Sequence, residues 1–223
     1  MTDEVKLPVN ITLIVDRSGS MQNIKDEVIG GINAFYAEQR TLPGEAFVTF
    51  VQFDHIYEVV FENIALANVQ ALTDEQFIPR GMTAMYDAIG ITLTKLDANL
   101  GDSSAPQIIV IMTDGAENSS KEFTHAAVKT SIEKAKAKGW QILFLGANID
   151  ASSVGGNLGI NQDNITTYST TAEGSSAAVR SMSSKLSSMR NAYDSSSSNW
   201  ANAGGTLSSI YSKTVVDKQS TPK

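Results

Sequence analysis

Val9-Asn10-Ile11-Thr12-Leu13-Ile14-Val15 is a run of apolar and β-branched residues that stops at a polar, glycine-containing turn, Asp16-Arg17-Ser18-Gly19-Ser20. A run of this kind, bounded by a turn, predicts a buried strand feeding a loop. From Met21 to Arg40 the apolar residues Ile24, Val28, Ile32, Phe35 and Tyr36 recur at helical spacing, and Pro43-Gly44 closes the segment. The alternation then repeats. Ala46 to Phe53 reads as a strand, and Asp54-His55 separates it from Ile56 to Phe61 closely enough to predict an antiparallel hairpin. After a mixed stretch from Ala65 to Arg80, Gly81-Met82-Thr83 leads into a helix-spaced set comprising Met85, Ala88, Ile89, Thr92, Leu93 and Leu96.

Pro106 to Met112 is a third buried strand, ending at Thr113-Asp114-Gly115. A helix is expected from about Lys121 to Lys138, with Phe123, Ala127, Val128, Ile132 and Ala135 buried and Gly139 as its C-cap. Trp140 to Leu145 makes a fourth inner strand, Ala151 to Leu158 a short helix and Asn164 to Ser169 a last strand. Strands alternating with helices predict an α/β fold: a doubly wound, mostly parallel open sheet with one antiparallel edge strand and helices on both faces.

The last segment changes character, because residues 171–223 hold 15 serines and six basic against three acidic residues. Val179, Met182, Leu186, Met189 and Tyr193 recur at spacings of 3, 4, 3 and 4, which predicts a helix over Ala172 to Asn191 with one buried stripe. The run Ser195 to Ser198 reads as a linker. These readings place one domain at residues 1–193 and a serine-rich linker and tail at 194–223. Trp200 is costly to expose, so the stretch from Trp200 to Val216 is expected to dock on a partner, on another copy, or back on the domain.

A chain of 223 residues with 42% hydrophobic and 18% charged residues can bury a sizeable core, which excludes a disordered protein. The net charge of −7 argues against nucleic acid as a partner. The chain holds 0 cysteines, so disulfides, thiolate metal sites and cysteine nucleophiles are excluded. The acidic start, Met1-Thr2-Asp3-Glu4, is unlike an export signal, and the apolar runs are of strand length, so the expected location is cytoplasmic, without a membrane span, or associated with a virion. Gly155-Gly156-Asn157-Leu158-Gly159 lacks the spacing and preceding strand of a dinucleotide fingerprint.

Chemistry is left to oxygen donors and two histidines. His55 and His125 have no histidine or cysteine companion at metal spacing, so both read as solvent or packing residues. Three loops supply hard oxygens: Asp16, Ser18 and Ser20; Thr83; and Asp114. In a parallel open sheet such loops gather at one edge, near the topological switch point. Two carboxylates and three hydroxyls suit a hard divalent cation such as Mg²⁺. Each loop taken alone has a simpler reading, as a helix cap or a turn, but the caps leave the three matching loops unexplained together.

Asp16-Arg17-Ser18-Gly19-Ser20-Met21, Thr83 in Gly81-Met82-Thr83-Ala84, and Asp114 in Thr113-Asp114-Gly115 resemble the DxSxS, Thr and Asp elements of the von Willebrand factor type A domain, at its metal-ion-dependent adhesion site. The resemblance covers about residues 8–192. It implies a Rossmann-like fold, Mg²⁺ (or Mn²⁺) held by Asp16, Ser18, Ser20, Thr83 and Asp114, and a protein partner offering an Asp or Glu carboxylate to the metal. It further implies an interaction module rather than an enzyme, of bacterial or phage type, serving as adaptor or assembly factor. In regulated members the last helix shifts on ligand binding, which marks the Val179–Tyr193 helix as a candidate switch; plain packing explains the same stripe. Arg17 is a candidate contact for the acidic partner, and Glu117 and Asn118 are candidate rim residues.

Two other classes compete. A structural or virion subunit would use the metal only to pin its loops. A metal-dependent phosphohydrolase would want an acid or base two residues after Asp16, where Ser18 stands, and a cluster of basic residues for the phosphate.

Overall fold

The computed structural model describes residues 7–100, 105–194 and 196–219. Met1 to Lys6 of the amino-terminal reading, Ser195 of the linker and residues 220–223 of the tail lie outside them. Among the described residues six strands form one sheet: β1 (Val9–Asp16), β2 (Ala46–Phe53), β3 (Tyr57–Ala65), β4 (Gln107–Thr113), β5 (Gln141–Ala147) and β6 (Ile165–Tyr168). Their order is β3-β2-β1-β4-β5-β6, and every pairing is parallel except β2 with β3. The α-helices among the described residues are α1 (Lys25–Arg40), α2 (Met85–Leu100), α3 (His125–Ala137), α4 (Ala151–Asn157), α5 (Ala172–Asp194) and α6 (Leu207–Gln219).

Burial on both faces explains why the inner strands read as continuous apolar runs. Along β1, Val9, Ile11, Leu13 and Val15 point into one core with α1 and α5, whereas Ile14 points into a second core with α2, α3 and α4. β4 divides in the same way, with Ile108, Val110 and Met112 on the first side and Ile109 and Ile111 on the second. The approach of α1 to α5 is close enough that a Cβ at Gly31 would lie 2.9 Å from the Cβ of Val179. Only a residue without a side chain lets these two helices pack at that distance.

Two sequence boundaries move. The helix expected from Met21 begins at Lys25, because Gly19–Ile24 is a tighter 3-10 turn that buries Met21 and Ile24. The helix expected from Lys121 begins at His125 behind its N-cap Thr124, whose hydroxyl accepts the amide of Ala127. Residues 121–123 are held instead by the Asp87 carboxylate, which accepts the amides of Lys121, Glu122 and Phe123 at 2.7, 2.9 and 2.8 Å. With that later start Ala127 is exposed, not buried as its spacing suggested.

The stretch that composition reads as linker and tail is folded from residue 196 to 219. The amides of Ser196 and Ser197 bond back to the carbonyls of Tyr193 and Ala192, closing the end of α5. Trp200 packs edge-on against Tyr193 with ring centroids 5.6 Å apart, and Leu207 is fully buried in the α1–α5 core. Of the three docking places open to this stretch, it takes its own domain.

Candidate functional site

β1 lies beside both β2 and β4, and the chain leaves β1 in one direction and later returns to β4 on the other side. The switch point is therefore between β1 and β4, and the loops leaving these two strands open at the same edge of the sheet. The α2 entry loop joins them there: the amide of Thr83 donates to Asn118 Oδ1 at 2.9 Å, and the amide of Asn118 donates back to the Thr83 carbonyl at 3.0 Å. Three stretches distant in sequence thus meet.

All five oxygen-bearing residues gather at this edge. The amide of Ser18 donates to Asp16 Oδ1 at 2.6 Å, and the hydroxyl of Thr113 donates to Asp16 Oδ2 at 2.6 Å. Ser18 Oγ and Ser20 Oγ are 3.1 Å apart, and the Ser20 hydroxyl donates to Asp114 Oδ1 at 2.6 Å. Gly115 faces Thr83 and Ser20, since a Cβ there would lie 3.4 Å from Thr83 Oγ1 and 4.0 Å from Ser20 Oγ. Asp16, Ser18, Thr83 and Asp114 are buried, whereas Ser20 is exposed, so the cluster opens to solvent on the Ser20 side.

Burial pushes the Asp16 carboxyl up to about 6, against the pull of its hydrogen bonds to Thr113 and Ser18, and the neighbouring Asp114 adds to the rise. Burial raises Asp114 as well, with the Ser20 hydroxyl pulling the other way. Asp114 Oδ2 is buried and has no hydrogen-bond partner. An orphaned carboxylate oxygen beside a second buried carboxylate is costly in the absence of a cation. Two carboxylates, three hydroxyls and a mouth open to water form a donor set that fits a hard divalent ion.

A profile for the von Willebrand factor type A domain matches residues 10–192. The chain belongs to the von Willebrand factor type A domain family. No curated protein matches it. Among solved structures, the pilus adhesin SpaC from Lactobacillus rhamnosus GG in its open conformation aligns with a TM-score of 0.59 and 19% identity over 84% of this chain and 31% of its own. A von Willebrand factor type A protein from Catenulispora acidiphila aligns at 0.57 and 18% over 82% of this chain and 43% of its own. The manganese-loaded TRAP protein of Plasmodium vivax aligns at 0.51 and 18% over 73% of this chain and 68% of its own. The chain therefore spans less than half the length of the first two, and at these identities the likeness is one of fold.

Within this type A domain the residues around the cluster have partners of their own. Arg17 does not face a partner. It is 3% exposed and turns inward, with Nε 3.2 Å from Asp54 Oδ2 and Nη1 2.7 Å from Glu58 Oε2. Glu117 and Asn118 hold loops together: Glu117 accepts the amides of Tyr86, Ser119 and Ser120, and Asn118 clamps Thr83. His55 and His125 stay apart from the cluster's oxygens; His55 lies against Asp54, and His125 packs edge-on to Tyr86.

Sequence reading passes over Thr113 and Tyr168. Thr113 looks like one more β-branched strand residue, yet its hydroxyl fixes Asp16. The Tyr168 hydroxyl, deeply buried, donates to the Thr113 carbonyl at 3.2 Å and braces the same strand end from β6. Neither carries a sequence signal apart from its place at the end of a strand.

Proposed function

We propose that this domain is a metal-gated protein-binding module, in which Asp16, Ser18, Ser20, Thr83 and Asp114 hold Mg²⁺ (or Mn²⁺) and a partner protein completes the coordination with an Asp or Glu carboxylate. The observation that carries this reading is that three converging loops bring two buried carboxylates, one with an unpartnered oxygen, together with three hydroxyls at an edge open to water. With the aspartates acting largely through bridging waters, as the family resemblance implies, the direct hydroxyl ligands would neutralise little of the ion's charge, so an incoming anionic oxygen would gain a charge-assisted contact at an open position. Arg17 is committed to Asp54 and Glu58, so the ion would supply the positive charge that an acidic partner meets in the first loop. The same commitment removes a phosphate-holding group from that loop, which weighs against the phosphohydrolase reading.

The manganese-loaded TRAP protein and the pilus adhesin share the fold and lend support by analogy alone. The cellular setting proposed is an adaptor or assembly factor of bacterial or phage type acting in the cytoplasm or on a virion. Among the described residues no helix is long and apolar enough to cross a membrane.

The test is a thermal melt with Mg²⁺, Mn²⁺ or EDTA. Saturation at about 100 times Kd stabilises a native state by about 2.7 kcal/mol. In a domain of this size that is a rise of roughly 5–10 °C. The wild type is expected to show it and Asp16→Ala to lose it; equal melts for both proteins in every condition would remove the metal from the proposal. Mg²⁺-dependent, EDTA-reversible capture of a partner then tests the binding role.

A further inference from the structure

Asp54 stands at the end of β2, touches none of the five oxygen-bearing side chains in the hydrogen bonds described, and is nevertheless fully buried. Its Oδ2 is 3.2 Å from Arg17 Nε and 2.9 Å from Arg80 Nε, and its Oδ1 accepts the amide of Ile56 at 2.6 Å. Arg17 belongs to the loop bearing Ser18 and Ser20, and Arg80 opens the loop bearing Thr83. One carboxylate therefore grips both loops. The backbone repeats the arrangement around it: Arg17 N donates to the Phe53 carbonyl at 2.7 Å, Arg80 N to the Arg17 carbonyl at 2.8 Å, Ala84 N to the Asp54 carbonyl at 2.8 Å, and Gly19 N to the Gly81 carbonyl at 3.2 Å. Gly81 holds a left-handed φ of 69°, and a Cβ there would lie 2.2 Å from His55 Nδ1, so the second loop is pressed against the β2–β3 turn.

We propose that Asp54 is the positioning residue of the oxygen cluster: by drawing Arg17 and Arg80 to one carboxylate it sets the distance between the hydroxyls of Ser18 and Ser20 and that of Thr83. The proposal rests on the metal-site reading for its consequence but not for its geometry. Arg17 and Arg80 against Asp54 and Glu58 are balanced in formal charge, so this group orients the loops without adding charge to Asp16 and Asp114. Residues that orient ligands from behind typically change metal affinity about 10–100-fold when replaced. Asp54→Asn keeps the shape and the acceptor for Ile56, but turns an amide towards two guanidinium groups, which should release both loops.

The experiment measures Mn²⁺ affinity and, in EDTA, hydrogen exchange at the amides of Gly19 and Ala84, for the wild type, Asp54→Asn and Arg80→Gln. Leu207→Ala, a core truncation that removes no hydrogen bond or ion pair of the cluster or of Asp54, serves as the variant that loses stability alone. The expected result is an affinity loss of about 10-fold or more in Asp54→Asn, with faster exchange at Gly19 and Ala84, while Leu207→Ala melts lower but binds Mn²⁺ as the wild type does. Arg80 is half exposed, so Arg80→Gln is expected to fold and carries the test if Asp54→Asn does not, with a smaller change of the same kind. Affinity within about 2-fold of wild type together with unchanged exchange at both amides in the folded variants would overturn the proposal. If the wild type itself binds no Mn²⁺, the metal reading fails, and exchange at Gly19 and Ala84 still decides whether Asp54 sets the loops.

Discussion

Asp16 is wholly buried, and its carboxyl is raised from 3.8 to about 6 chiefly by loss of water. A proton on Asp16 therefore binds the folded chain more tightly than the unfolded one. The sign follows: this contribution to stability is fully present below the unfolded value and is lost as pH rises through about 6. Metal-free protein should then lose on the order of 2 kcal/mol between about pH 4 and pH 7.5 through this group. Asp16→Asn mimics the protonated acid, since its carbonyl can accept the Ser18 amide and its amide can donate to Thr113. In EDTA, urea unfolding of Asp16→Asn should show a higher stability than wild type at pH 7.5 and a similar one at pH 4, and Mg²⁺ should not raise it. A mutant less stable than wild type at pH 7.5 would mean that the Asp16 charge is already compensated without metal. The Asp16-x-Ser18-x-Ser20 motif was legible here; the hydroxyl of Thr113 that steadies Asp16 was not, because a threonine in a β-branched run has the same sequence appearance whether or not its hydroxyl is used.

At the scale of elements, α6 acts as a strap. It packs on α5 and β6 through Leu207, through the Lys185 ammonium donating to the Gly205 carbonyl at 2.5 Å, and through the Tyr211 hydroxyl accepting the amide of Ser169. Removing a fully buried leucine costs about 2–4 kcal/mol when the site cannot collapse. Leu207→Ala should therefore lower the melting temperature by roughly 5–15 °C, and amide exchange should speed up along α6 and the second half of α5. A change below about 1 °C would show that the strap contributes nothing to holding α5. Gly31 makes the same point from the other side of α5: Gly31→Val would drive α1 off Val179 and should cost about 1–3 kcal/mol by overpacking, read as a lower urea midpoint with an unchanged slope. Composition could not show the strap, because its serines are polar on any scale and its anchors are few and widely spaced.

The whole molecule is two cores divided by one sheet, and each core has its own tryptophan. Trp140 is 5% exposed in the α2–α3 core, and Trp200 is half-buried against Tyr193 beside the α1–α5 core. Because β1 and β4 supply side chains to both cores, the two are expected to unfold together. Fluorescence of Trp140→Phe and of Trp200→Phe should report one urea midpoint from either surviving tryptophan, after allowing for each substitution's own effect on far-UV dichroism. An earlier Trp200 transition would identify residues 196–219 as a separately melting unit.

The parallel sheet, its antiparallel edge and the loops that carry Asp16, Ser18, Ser20, Thr83 and Asp114 follow from local patterns: apolar runs buried on two sides, helical periodicity, and turn residues at strand ends. Those features are set by neighbours within a few residues, so the sequence alone determined them. Tertiary structure alone decided that Arg17 turns inward, that Asp54 holds two loops, that Tyr168 braces Thr113 and that the serine-rich end folds back over α5. Each of these depends on a partner many residues away, where hydrogen-bond geometry and burial choose among contacts that a linear pattern leaves equal.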